Sequence, residues 1–134
     1  MFNLVMSQLI TQKLVMLRKT DEFSSVFSFR KRFSSKFLVL HYKPSPDTQV
    51  KIGFVVAKKM AKLAVDRNYM RRVLRELCRQ ELHVLSAVNT AGVDVVIQVK
   101  TPFKNAEFFQ LKQQLAGLFV KISTKITTDN IIHA

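Results

Sequence analysis

The 134-residue sequence has one cysteine, three glycines, three prolines, no tryptophan and only nine acidic residues. Each shortage excludes something. A lone Cys78 cannot form an intramolecular disulfide and fits a reducing, cytoplasmic compartment. With only His41, His83 and His133 beside it, a structural zinc site is not expected. No apolar run approaches the roughly 20 residues that span a bilayer. The carboxylates are Asp21, Glu22, Asp47, Asp66, Glu76, Glu81, Asp94, Glu107 and Asp129, and no pair has metal-ligand spacing. Hydrolysis of a phosphodiester by protein side chains needs such a pair or a positioned acid and base, so no catalytic residue and no protein-held metal is expected. Cys78 reads as a buried small hydrophobe, His83 as a surface imidazole and His41 as a hydrogen-bonding residue near a turn.

Positive charge is what the chain has in excess. Twenty-two Lys and Arg leave a formal charge of +13 and a pI near 10.3. Such an excess repels itself in a compact fold, so a polyanionic partner is expected, either nucleic acid or an anionic membrane surface. A hydrophobic content of 48% with eleven Phe is globular, and the length fits one domain, since domains cluster at about 100–150 residues.

Residues 1–12 carry no charge, and the first cation, Lys13, follows the apolar stretch. That order is wrong for a secretory signal. A short extra helix, a frayed tail or a start placed too far upstream of Met6 or Met16 are the alternatives. Residues 1–16 are therefore set apart as an N-terminal extension, 17–122 as the domain and 123–134 as a loose C-terminal tail. Thr20, as a cap, with Asp21 and Glu22 opens a helix over about 21–27. Arg30–Arg32 is a basic connector or a short edge strand. Phe37–Tyr42 reads as a strand ended by the turn residues Lys43–Asp47. Lys51–Ala57 reads as a strand buried on both faces. A long helix runs from near Ala61–Asp66 to about Leu85, and Val93–Val99 is a further strand. Pro102 breaks the chain, and Asn105 caps a last helix with apolar residues at 108, 111, 115, 118, 119 and 122. The order predicts an α/β (α+β) two-layer sandwich, a small sheet packed against helices.

Between Lys58 and Arg79 lie Lys58, Lys59, Lys62, Arg67, Arg71, Arg72, Arg75 and Arg79, opposed only by Asp66 and Glu76. At 100° per residue, Arg67, Asn68, Arg71, Arg72, Arg75 and Arg79 share an arc of roughly 140°. Met70, Val73, Leu74, Leu77 and Val84 lie opposite, with Glu81 as the one misfit. A solvated helix face would normally intersperse acids at i, i+4; here they are nearly missing. Arginine forks match phosphate oxygens bidentately, and no helix-turn-helix partner accompanies the helix.

Gly53-Phe-Val-Val-Ala-Lys-Lys59, followed by Ala64-Val-Asp-Arg-Asn-Tyr-Met-Arg-Arg-Val-Leu-Arg-Glu76, resembles the signature of the bacterial ribonuclease P protein family. Leu17, Asp21-Glu22-Phe23 and Phe27 resemble that family's first helix, and the likeness runs from about Leu17 to Ile122. The resemblance implies a ribosomal-protein-S5-domain-2-like fold with a left-handed βαβ crossover. It implies a subunit that binds the catalytic RNA of ribonuclease P and helps it remove the 5′ leader of precursor tRNA, with magnesium held mainly by RNA and no obligate protein partner. It assigns RNA contacts to Arg67, Asn68, Arg71, Arg72 and Arg75, extended by Lys58, Lys59, Lys62 and Arg79.

The same resemblance implies a leader cleft with Phe23 and Phe27 on its helix, where aromatic faces stack unpaired bases without sequence demand; the alternative is that both are core. Tyr42 is assigned to the cleft from the strand, because Leu40 stands where many members carry an aromatic. Arg71 stands where lysine is common, and a second basic position after the distal strand is reduced to Lys100. Two other readings remain: an RNA-binding structural protein such as a ribosomal component, and a membrane-surface protein using the apolar N-terminus.

Overall fold

The computed structural model describes residues 14–45, 49–88 and 92–133; the expectations for residues 1–13 and for the Pro46–Asp47 part of the turn lie outside them. The described elements are β1 (Val15–Met16), α1 (Thr20–Phe29), β2 (Lys31–Ser34), β3 (Leu38–Ser45), β4 (Val50–Val55), a 3₁₀ turn (Lys58–Met60), α2 (Ala64–Val88), β5 (Gly92–Val99), a second 3₁₀ turn (Asn105–Glu107) and α3 (Phe108–His133). The strands form one sheet in the order β1-β4-β5-β3-β2. β1 and β5 flank β4 in parallel, whereas β3 is antiparallel to both β5 and β2. α2 is the crossover that lets β4 and β5 run parallel.

Strand alternation divides the sheet into two unlike faces. Leu38, Leu40 and Tyr42 of β3 point with Val93, Val95, Ile97 and Val99 of β5 and Ile52 of β4 into the main core, which α2 and α3 close with Leu74, Leu77, Leu111, Leu115 and Phe119. The opposite face has a small cluster, Leu17, Val26 and Val96, with Phe23 and Val55 packed on it. α1 covers only part of this second face, and the remainder is open.

Several local expectations are corrected. Ser123 to His133 is not a loose tail: α3 continues through it, because Ile126 follows Ile122 by one turn and is buried in the main core. Ser123 is also buried there, its hydroxyl donating to the Val84 carbonyl at 3.0 Å. Thr20 does not cap α1. Lys19 occupies the cap position, and the Glu22 carboxylate accepts from the Lys19 N–H at 3.1 Å. Asn105 likewise leaves capping to Glu107, which accepts from the Lys104 N–H at 2.9 Å. β3 does not stop at Tyr42 but runs to Ser45; β2 ends opposite Tyr42, so Pro44 lies where β3 has become an edge, and proline is tolerated there. Arg30–Arg32 resolves into an αL residue at the end of α1 followed by edge strand β2.

One glycine is required by a close approach. A Cβ at Gly53 would lie 2.5 Å from the Phe23 ring and 3.2 Å from Leu17 Cβ, so α1 rests on bare β4 backbone. Gly53→Ala is expected to destabilise the protein by about 1–3 kcal/mol, measured by urea denaturation. Unchanged stability would mean that Phe23 is not seated there.

Candidate nucleic-acid interface

α2 is fixed by its apolar side: Met70, Leu74, Leu77, Cys78, Leu82 and Leu85 are all at most 3% exposed. Val73 and Val84 are partly buried beside them. Cys78 is inert packing, its thiol pKa pushed up by burial. The opposite side then has only one direction to face. Asn68, Arg72, Arg75 and Arg79 are exposed, and Arg71 and Arg67 are half-buried. Asn68, Arg71, Arg72 and Arg75 line one concavity of about 350 Å³, in which the Arg71 guanidinium donates to Asn68 Oδ1 at 3.0 Å. No carboxylate lines it.

Besides Arg71, two further arginines of the row are engaged within the protein. Arg79 pairs with Glu76 at 3.2 Å, with the side chains 60% and 53% exposed; a pair so open to water is worth under about 1 kcal/mol and yields easily to a phosphate. Arg67 turns back on its own linker, donating to the carbonyls of Ala61 at 2.7 Å and Lys62 at 3.0 Å. It holds the entry to α2 in shape, a role its place in the row gave no sign of.

Lys58 and Lys59 are exposed on the first 3₁₀ turn and Lys62 is exposed on the linker to α2. Lys59 and Lys100 line a hollow of about 230 Å³ floored by Val39 and Gln98. On the same open face, Phe27, Arg30, Arg32 and His41 line a groove of about 320 Å³. Val39 and His41 are two apart on β3, and His41 Nε2 lies 3.0 Å from Gln98 Oε1. The two hollows therefore follow one line across the sheet, from the end of α1 toward the lysine loop.

The three expected cleft aromatics separate. Phe27 is 36% exposed and meets the His41 ring edge-on, 4.6 Å between centroids. Phe23 is partly buried, packed on the Leu17–Val26–Val96 cluster. Tyr42 is corrected. It is buried in the main core, stacked on Phe33, and its hydroxyl pKa is raised by burial and then by the Asp129 carboxylate. It faces the helices, on the other side of the sheet from Phe27. His41, mid-strand rather than beside a turn, is the β3 side chain that faces the groove. Arg30 also enters the groove, from an αL backbone (φ 61°, ψ 28°) that costs a non-glycine residue about 1–2 kcal/mol. Among the described residues no group of three or more His, Cys, Asp or Glu could hold a metal ion.

The family model described as Ribonuclease P matches residues 12–123. The chain belongs to the ribonuclease P protein family. A ribonuclease P protein component from Azoarcus is 41% identical over 106 residues, which span 79% of this chain and 84% of that one. The Chromobacterium violaceum component is 40% identical over 107 residues, 80% of this chain and 84% of its own. The solved Staphylococcus aureus ribonuclease P protein superposes with a TM-score of 0.67 at 20% identity, covering 83% of this chain and 96% of that one. The Thermotoga maritima protein gives 0.63 at 20%, covering 82% and 97%; both likenesses are of fold. A ribonuclease P protein works as the protein subunit in 5′ processing of tRNA, while the RNA performs the cleavage, which agrees with a surface rich in cations.

Arg67→Lys keeps the charge but loses the fork that holds two carbonyls. Faster amide hydrogen exchange over residues 61–67 is expected, with no such change for Arg72→Lys. Equal exchange in both variants would remove the clamp.

Proposed function

We propose that the α2 row and the lysine loop bind the RNA subunit of ribonuclease P while the open-face groove guides the single-stranded leader of precursor tRNA. The observation that carries this reading is the carboxylate-free concavity of Asn68, Arg71, Arg72 and Arg75. It is joined through Lys58, Lys59 and Lys62 to a groove with an aromatic wall. Arg72 and Arg75 serve phosphates first, with Arg71 positioned by Asn68, and Arg79 released from Glu76. Arg67 contributes charge while its main task is shaping the linker.

In the groove, Phe27, braced by the buried His41 ring, offers a face for unpaired bases, and Arg30 and Arg32 take the backbone. Phe23 supports α1 from beneath. Magnesium belongs with the RNA in this reading. The protein's cations replace part of the ion atmosphere that would otherwise be needed around closely packed phosphates. The compartment is the cytoplasm, and no further protein is required. No described helix is long and apolar enough to cross a membrane.

Reconstitution with ribonuclease P RNA at low magnesium should give cleavage of precursor tRNA; RNA binding without restored cleavage would favour a structural RNA-binding role instead. Arg72→Ala and Arg75→Ala should each weaken assembly and reduce the slope of log K against log salt by about one unit, measured by filter binding across a salt series. Arg30→Gly separates stability from function. It relieves the αL residue and should stabilise the fold by about 1 kcal/mol, while reducing the preference for precursor over mature tRNA. Undiminished preference would move the leader out of the groove.

A further inference from the structure

Beside the arginine row, and outside both the row and the groove, lies a cavity of about 490 Å³. It is within the range of ligand pockets, about 300–1,000 Å³. It opens between the start of α2 and the loop that leads into α3. Its apolar lining is Met60, Met70 and Phe103, with the Tyr69 ring, and its charged lining is Asp66 and Glu107 with Lys104. Met70 and Phe103 are 2% and 3% exposed, so this is packed framework rather than loose surface. Tyr69 is tethered through its hydroxyl, which donates to Asn105 Oδ1. Glu107 uses one oxygen on the Lys104 N–H. In a chain with nine acidic residues, two in one cavity against a single lysine leave it net negative, opposite in sign to the row next to it.

We propose that this cavity receives an unpaired guanine of the RNA whose backbone lies on the α2 row, a reading that rests on RNA binding at that row. Two carboxylates against the single Lys104 leave the lining net negative, which disfavours a phosphate. A flat heterocycle fits the apolar and aromatic lining. Ionised carboxylates only accept hydrogen bonds, and a Tyr69 oxygen that already donates to Asn105 is left as an acceptor too. Guanine alone among the four bases places two donors, N1–H and the N2 amine, side by side on its Watson–Crick edge, so that one carboxylate can take both. Asp66, exposed and with a carboxylate that accepts no hydrogen bond from the described residues, is the acceptor for that pair. Tyr69 and Arg72 are i, i+3 neighbours on the helix surface, so a strand whose phosphate meets Arg72 can turn a base into the cavity. Phosphates then set position and the base sets register.

The test uses the full chain, with ¹³C-labelled methionine methyls at Met60 and Met70 as reporters, titrated with guanosine, inosine and adenosine. Guanosine should shift both methyls saturably. Inosine, which lacks the N2 amine, should bind about tenfold more weakly, and adenosine should leave both methyls unmoved. Asp66→Asn, a substitution at an exposed helix start, should bring guanosine down to the level of inosine. Absence of shifts at Met60 and Met70, equal binding of guanosine and inosine, or an unchanged guanosine preference in Asp66→Asn would each overturn the assignment. Salt-dependent assembly with ribonuclease P RNA, measured on the same preparation, distinguishes failure of the cavity from failure of RNA binding: normal assembly without a guanosine response sinks the cavity alone.

Discussion

A helix can hold a dense row of like charges only if its other side is anchored by more than the charges repel. In α2 that anchor is Met70, Leu74, Leu77, Cys78, Leu82 and Leu85, none more than 3% exposed. Burying one such aliphatic side chain contributes about 1.5–3 kcal/mol, whereas a like-charge pair at i, i+4 costs only a few tenths. The apolar side therefore outweighs the arginines several times over. It also decides where they point, since a helix seated on the sheet by one side has its other side turned to solvent. The exposed arginine row is thus a consequence of core packing, and α2 is held on both flanks, by β4 and by α3.

The sheet makes a second division by the same means. Residues of β3 alternate between a face sealed by two long helices and a face that α1 covers only in part. Gly53 is what lets α1 lie so close: Phe23 occupies the space a side chain on β4 would take. Close seating at that point leaves Val39 and Gln98 only half-buried beyond the end of the helix, while His41 is covered by the Phe27 ring. The groove exists because a ten-residue helix is too short to roof five strands.

Much of this was legible in the sequence. The 3.6-residue period of 67–85 placed both sides of α2, and the apolar runs at 37–42, 51–57 and 93–99 placed three strands. What was not legible follows from physical causes of three kinds. Phe37–Tyr42 is apolar nearly throughout, so alternation gave no means of telling which face Leu40 and Tyr42 take; only pairing with Ile97 and Val95 puts them in the core and leaves His41 facing the groove. The threonines at 124, 127 and 128 lower helix propensity and hid the tertiary contact of Ile126 that carries α3 onward. Arg67 shares its row with true surface arginines, and its bonds to Ala61 and Lys62 depend on a linker path that periodicity does not encode.

The scarce acids explain how the chain keeps so high a charge and still folds. Asp21 and Glu22 lie in the first turn of α1, Asp66 in that of α2, and Glu107 in the turn that leads into α3. There they complement the positive ends of the helix dipoles, each worth about 0.3–1 kcal/mol, and Glu22 and Glu107 also satisfy backbone N–H groups. Acids spent at helix starts do not dilute the row or the groove. Glu76 does stand in the row, toward its C-terminal end, paired with Arg79. A protein that leaves the chemistry to RNA needs positive potential concentrated on one side and stable helices to carry it, and placing carboxylates at the helix N-termini supplies both from very few residues.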